Sequence, residues 1–140
     1  MKYLLDTNIC IYLIKQRPVQ VLNRLQALAI EDVGVSAITV AELSYGAAKS
    51  AYPDRNRLAL AAFLAPFGVL PFSTPAADVC GRIRAELEHR GTPIGAYDLL
   101  IGAQALADGL VLVTNNEREF RRIPGLSVEN WVKHLYKDRD

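Results

Sequence analysis

Short apolar runs alternate with longer stretches of helical period along this chain. Residues 2–5 read as a strand ending at Asp6, and the apolar stretch 9–14 is long enough for a short helix. Pro18 opens a second helical segment in which Val19, Leu22, Leu25 and Leu28 recur with helical spacing. Residues 33–35 form a second apolar strand, followed by Ser36 and a helix running through Ala48. Pro53 and Asp54 break the chain before a helix over 56–64, and 69–72 reads as a third strand. Thr74-Pro75 supplies a capping hydroxyl and then a proline at the first helical position. Ala76, Val79, Cys80, Ile83 and Leu87 share one face of that helix, which stops at Gly91. A loop over 92–95 leads to a helix over 97–107, closed by Gly109. The strand at 110–113 is the most clearly buried, and a short helix at 117–122 and a strand at 126–128 complete the core. Such alternation predicts an α/β three-layer sandwich around a mainly parallel sheet.

Composition narrows this. With 140 residues, 51% hydrophobic and 22% charged, the chain suits one globular domain, read here as residues 1–132 with a short tail at 133–140. No apolar run approaches the roughly 20 residues of a membrane span. The start, Met-Lys-Tyr-Leu-Leu-Asp, meets a carboxylate too early for a signal peptide, so a cytoplasmic location is expected. Cys10 and Cys80 have no metal-ligand spacing with each other or with His89 and His134, and read as small buried side chains. The net charge of +1 neither favours nor excludes a nucleic-acid partner, because a whole-chain sum hides a local groove.

The acids fall at informative places. Asp6 ends the first strand, Glu42 lies early in the helix after the second, Asp98 opens a helix, and Asn116 and Glu119 follow the strand ending at Thr114. Ligands of open parallel sheets bind beyond the carboxyl ends of the strands, where elements leaving the sheet can bring these side chains together. Carboxylates sharing a cleft repel one another, and a divalent cation removes that cost. Such an ion suits phosphodiester hydrolysis. Plainer roles compete. Thr39-Val40-Ala41-Glu42 fits a capping box, Asp98 fits an N-cap or a helix-dipole partner, and the acids around Glu119 fit the same pattern. Asp6 resists such a reading, because a carboxylate straight after a buried strand is costly unless bonded.

Leu4-Leu5-Asp6-Thr7-Asn8, Ile38 to Leu43 with Tyr45-Gly46, Pro93-Ile94-Gly95 before Asp98, and Val113 to Asn116 leading to Glu119-Phe120 together resemble the PIN-domain ribonucleases. Within these the chain is similar to the VapC toxins of type II VapBC toxin–antitoxin modules, from Lys2 to about Trp131. The resemblance implies a PIN-like fold and an acidic pocket for Mg2+ or Mn2+. Asp6 and Asp98 match the main metal-binding acids and Glu42 the third. The fourth acidic role falls on Glu119 or Asn116, with Glu119 favoured as the charge. Thr7, Asn8, Thr114 and Asn116 would orient these groups. The implied activity is endonucleolytic cleavage of structured RNA, tRNA above all, with the initiator tRNA anticodon loop as the specific target, stopping translation. The implied partners are a VapB-like antitoxin covering the groove and a second copy in a homodimer. Glu42 would position or deprotonate the attacking water.

Among the cations, Arg118, Arg121 and Arg122 are the leading RNA-contact candidates because they adjoin the acids; Lys15, Arg17, Lys49, Arg55, Arg82 and Arg84 read first as solvated charges. Tyr45, Tyr97, Trp131 and Tyr136 are expected to pack rather than stack on bases. A haloacid-dehalogenase-like phosphatase would need a second Asp where Asn8 stands, and a dinucleotide site would need a Gly-rich turn after the first strand. A PIN-like binding domain without catalysis is the non-enzymatic alternative.

Overall fold

A computed structural model describes residues 1–133. Five strands, β1 (Tyr3–Leu5), β2 (Val33–Ser36), β3 (Gly68–Leu70), β4 (Val111–Val113) and β5 (Val128–Glu129), form one sheet in the order β3-β2-β1-β4-β5. All four pairings are parallel. Helices α1 (Thr7–Lys15), α2 (Val19–Gln26), α3 (Ala37–Ala48), α4 (Pro53–Leu64), α5 (Thr74–His89), α6 (Ala96–Ala107) and the single turn α7 (Glu117–Phe120) connect them. A 3-10 turn (Ile30–Asp32), which the sequence pattern did not suggest, leads into β2.

The three layers follow from strand alternation. Leu4 of β1 and Leu112 of β4 point into one core, shared with Ile83 and Leu87 of α5 and Ile101 of α6. Leu5 and Val113, one residue on, point into the other, with Ile9 and Leu13 of α1, Val33 and Val35 of β2 and Trp131. Both cysteines are buried and free, as expected.

Several predicted boundaries shift. Pro18 stands at the N-cap of α2, just outside the helix. Ser73, not Thr74, caps α5 by accepting from the Ala76 N–H, which leaves Thr74 and Pro75 in the first turn. α4 begins at Pro53 rather than near Asn56, β3 ends at Leu70, and β5 pairs through Val128 and Glu129 rather than Leu126. Apart from Lys133, the predicted tail lies outside the described residues, as do His134 and Tyr136.

Candidate active site

β1 is the central strand, flanked by β2 and β4 in matched register, so Leu5 lies beside both Val35 and Val113. Asp6 follows at the carboxyl end and its N–H donates to the Val113 carbonyl at 3.0 Å. The chain turns at once into α1. Asp6 caps that helix, its Oδ1 accepting from the Ile9 N–H at 2.8 Å. The carboxyl is nearly inaccessible, at 3% exposed. Burial raises it to about 6 despite hydrogen bonds from Thr114 and the Ile9 backbone, and the charges of Asp98 and Glu42 push the same way.

Asp98 arrives from the other face. α6 has Gly95 at its N-cap and no side-chain cap, so Asp98 sits inside the first turn and does not serve as the cap that one reading assigned to it. Burial and the charges of Glu119 and Glu42 raise it to about 6 as well. α6 can lie close to the following turn because of Gly102. A Cβ there would meet Ile123 Cδ1 at 2.5 Å and Phe120 Cδ1 at 3.3 Å.

Glu42 is not part of a capping box. Ser36 caps α3, accepting from the Ile38 N–H at 3.0 Å, so Glu42 lies well beyond the first turn. Its Oε1 instead accepts from the Thr7 hydroxyl at 2.7 Å. Thr7 also lies 3.1 Å from the buried Thr39 hydroxyl. With its one proton given to Glu42, Thr7 must accept from Thr39, which fixes the order Thr39 to Thr7 to Glu42.

Glu119 is held differently. Its Oε1 accepts from the Gly95 N–H at 2.9 Å and its Oε2 from the Asn116 amide at 2.7 Å, and these bonds lower its pKa. A Cβ on Gly95 would lie 3.8 Å from Glu119 Oε1 and 4.0 Å from Asp98 Oδ2, so the two acids flank one loop residue. Thr114 Oγ1 accepts from the Asn116 N–H at 2.9 Å. Nearby Glu117 accepts from Asn130, Arg121 and Lys133, which bring it down to about 2.

Asp6, Glu42 and Asp98 line one open groove of about 590 Å³ with Thr7 and Asn8. Among the described residues no three carboxylate, thiolate or imidazole groups gather tightly enough to enclose a metal unaided. A small hard cation does not need that, since it uses one or two carboxylates and keeps several waters. The oxygen donors and the raised pKa of both aspartates fit such an ion, whose charge would offset the repulsion.

Of the cations, Arg121 pairs with Glu117 at 2.8 Å and Arg122 donates to the Pro93 carbonyl at 2.8 Å, while Arg118 is exposed. The groove itself is lined by Lys15 and Lys49. Trp131 packs as expected, fully buried with its Nε1–H donating to Glu129 at 2.8 Å. Tyr45 and Tyr97 do not: they are 66% and 55% exposed, because helix phase turns both outward. Sequence reasoning gave Thr39 only a capping role, which Ser36 fills instead, and passed over Gln104. The buried Gln104 of α6 accepts from Ser36 and donates to the Pro71 carbonyl at 3.0 Å, tying the helix of Asp98 to the ends of β2 and β3.

The PIN domain family matches residues 3–126. The chain is 47% identical over 131 residues to the tRNA(fMet)-specific endonuclease VapC of Salmonella typhimurium, covering 94% of this chain and 98% of that one. It is 48% identical over 132 residues to ribonuclease VapC2 of Haemophilus influenzae, covering 94% and 99%. In three dimensions it is similar to DNA-bound VapBC from Salmonella typhimurium, with a TM-score of 0.89, 46% identity and coverage of 94% and 98%. VapBC2 from Rickettsia felis, bound to a promoter DNA fragment, gives 0.87 at 42% identity, covering 94% and 99%. The chain belongs to the PIN-domain family and, within it, to the VapC ribonucleases, which in general depend on a divalent metal.

Proposed function

We propose that this chain is the toxin of a type II toxin–antitoxin module, an endoribonuclease that uses Mg2+ or Mn2+ and works in the cytoplasm. The observation that carries the reading is the pair Asp6 and Asp98, two acids with raised pKa, one at the end of the central strand and one in the first turn of α6, in one groove with Glu42. Asp6 and Asp98 would hold the cation. When bound, the ion supplies acidification of a water and offsets the charge of the phosphodiester.

The protein side of the reaction is positioning and proton transfer. Thr7 occupies one oxygen of Glu42, which leaves the other to orient a water and take its proton as the water attacks phosphorus in line. The opposite P–O bond breaks and the departing alkoxide takes a proton from solvent. Thr39 keeps the Thr7 hydroxyl turned toward Glu42. The Ile9 N–H holds Oδ1 of the Asp6 carboxyl, and the Thr114 hydroxyl acts on the same carboxyl, so Asp6 is oriented before any ion binds. Glu119, clamped by Gly95 and Asn116, adds negative charge beside Asp98 and fixes the start of α6. Asn116 then serves to orient Glu119, and Asn8 lines the groove wall.

The substrate is read as a structured RNA with an unstacked loop, which can reach a concave site. The Salmonella relative's name specifies tRNA(fMet), which makes the anticodon loop of initiator tRNA the first target to test. The VapBC neighbours support a VapB-like antitoxin as partner, and a homodimer is the assembly proposed here. No helix among the described residues is long and apolar enough to cross a membrane. The test is incubation of the purified chain with a panel of tRNAs. Cleavage is expected with Mg2+ or Mn2+ and none with EDTA. Cleavage unaffected by EDTA, or hydrolysis of a generic phosphomonoester instead of RNA, would contradict the proposal.

A further inference from the structure

The groove has an outer end that hydrolysis leaves without a role. α1 closes on Lys15 and α3 is followed by Lys49; both line the groove whose inner end holds Asp6, Glu42 and Asp98. Lys49 Nζ lies 4.8 Å from the ring centroid of Tyr45, which lines the same groove and is largely exposed. The arrangement recurs at the start of α4, where the Arg55 guanidinium lies 4.4 Å from the centroid of the exposed Tyr52 ring. Tyr45 and Lys49 thus set an aromatic beside a cationic side chain in the groove lining, and Tyr52 and Arg55 repeat the pair at the start of α4.

An acid-lined inner end repels a polyanion, so a chain of phosphates needs cations on the approach. Exposed rings beside those cations offer a platform to any unstacked base, because every base has a π-face. We propose that this outer end is a subsite for single-stranded RNA flanking the cleaved bond, with a base stacked on Tyr45 and adjacent phosphates on Lys49 and Lys15. The subsite rests on the ribonuclease reading, and it favours RNA over a protein segment because the lysines sit where charge must be supplied to the phosphates.

The test reads binding separately from cleavage. Affinity for a fluorescein-labelled single-stranded oligouridylate is measured by fluorescence anisotropy in an Asp98→Asn background. Tyr45→Ala is expected to weaken binding about tenfold, within the range of losing one stacked base, while Tyr45→Phe keeps it. Lys49→Ala should weaken it and lower the slope of log affinity against log salt by about 0.7, the loss of one phosphate contact. Leu58→Ala, an exposed position on α4 outside the groove lining, should change nothing. Equal affinity of the parent and Tyr45→Ala, or no binding by the parent, overturns the subsite. So does a Tyr45→Ala chain that binds the oligonucleotide normally but captures a co-expressed VapB-type antitoxin less well. Tyr45-dependent binding by a protein whose wild type cleaves no tRNA would remove the hydrolytic reading and leave the subsite standing.

Discussion

Two groups of carboxylates lie beyond the carboxyl ends of the strands, and the protein treats them in opposite ways. Asp6 and Asp98 are desolvated, repelled by neighbouring acids and raised to about 6. Glu117 and Glu119, one turn beyond β4, are surrounded by donors and lowered. The charges of Glu117 and Glu119 are met by donors within the fold. Charge at the carboxyl end of the central strand is left uncompensated, which costs stability and creates a demand for a cation. The difference separates acids left open to a cation from acids whose position the fold fixes in advance.

Exchanging one acid from each group should break the symmetry most visibly. Asp6→Asn keeps an oxygen that can accept from the Ile9 N–H, so the cap survives while the charge is lost. RNA cleavage should fall roughly 100-fold or more, as when a main charge-stabilising group is removed. The melting temperature in EDTA at pH 7 should hold or rise. Glu117→Gln should do the reverse, lowering the melting temperature and leaving kcat nearly unchanged.

The pH dependence of stability sharpens the same contrast. A carboxyl raised from 3.8 to about 6, as in Asp6, contributes stability that is present below pH 3.8 and lost as pH rises through about 6. For this buried group the loss is on the order of 3 kcal/mol. Glu117 contributes in the opposite sense, with stability present above pH 4.5 and lost as pH falls toward 2. Thermal melts in EDTA should therefore peak in the mildly acidic range and decline toward pH 7. Millimolar Mg2+ should raise the melting point at pH 7 and have little effect at pH 4, where the aspartates are protonated. An identical Mg2+ effect at both pH values would contradict the assignment.

Smaller effects test the bracing side. Asn116→Ala frees one oxygen of Glu119 and should lower kcat about tenfold with little change in KM, the scale for residues that orient a ligating group. Single-turnover cleavage assays would read this split. Arg121→Ala removes an exposed partner of Glu117 and should cost less than about 1 kcal/mol in a denaturant titration. A large loss of RNA affinity instead would return Arg121 to the RNA contacts.

Much of this was legible in the sequence, and the reasons for the misses are physical. Strand ends are marked by apolar runs that stop at a polar residue, so Asp6 and Thr114 could be placed at the end of a parallel sheet before any coordinates. Glu42 carried two readings, because Thr39-Val40-Ala41-Glu42 matches a cap. The observed start of α3 at Ala37, capped by Ser36, removes the capping reading. The bond of Thr39 to Thr7 and those of Gln104 to Ser36 and Pro71 were invisible because the partners lie 32 or more residues apart. The fourth acid was ambiguous for a related reason. Asn116 and Glu119 share one hydrogen bond, so both belong to the same feature. The exposure of Tyr45 depends on helix phase, which a helix apolar on most sides does not reveal.

The central claim is that Asp98 is a working charge rather than a helix-end ornament. Wild type and Asp98→Asn, matched for folding by circular dichroism, should be compared on initiator tRNA in Mg2+ with the cleavage products mapped. The account predicts cleavage by the wild type and a loss of roughly 100-fold or more in the variant, with equal or higher thermal stability in EDTA. Equal cleavage by the two folded proteins would place the active site elsewhere.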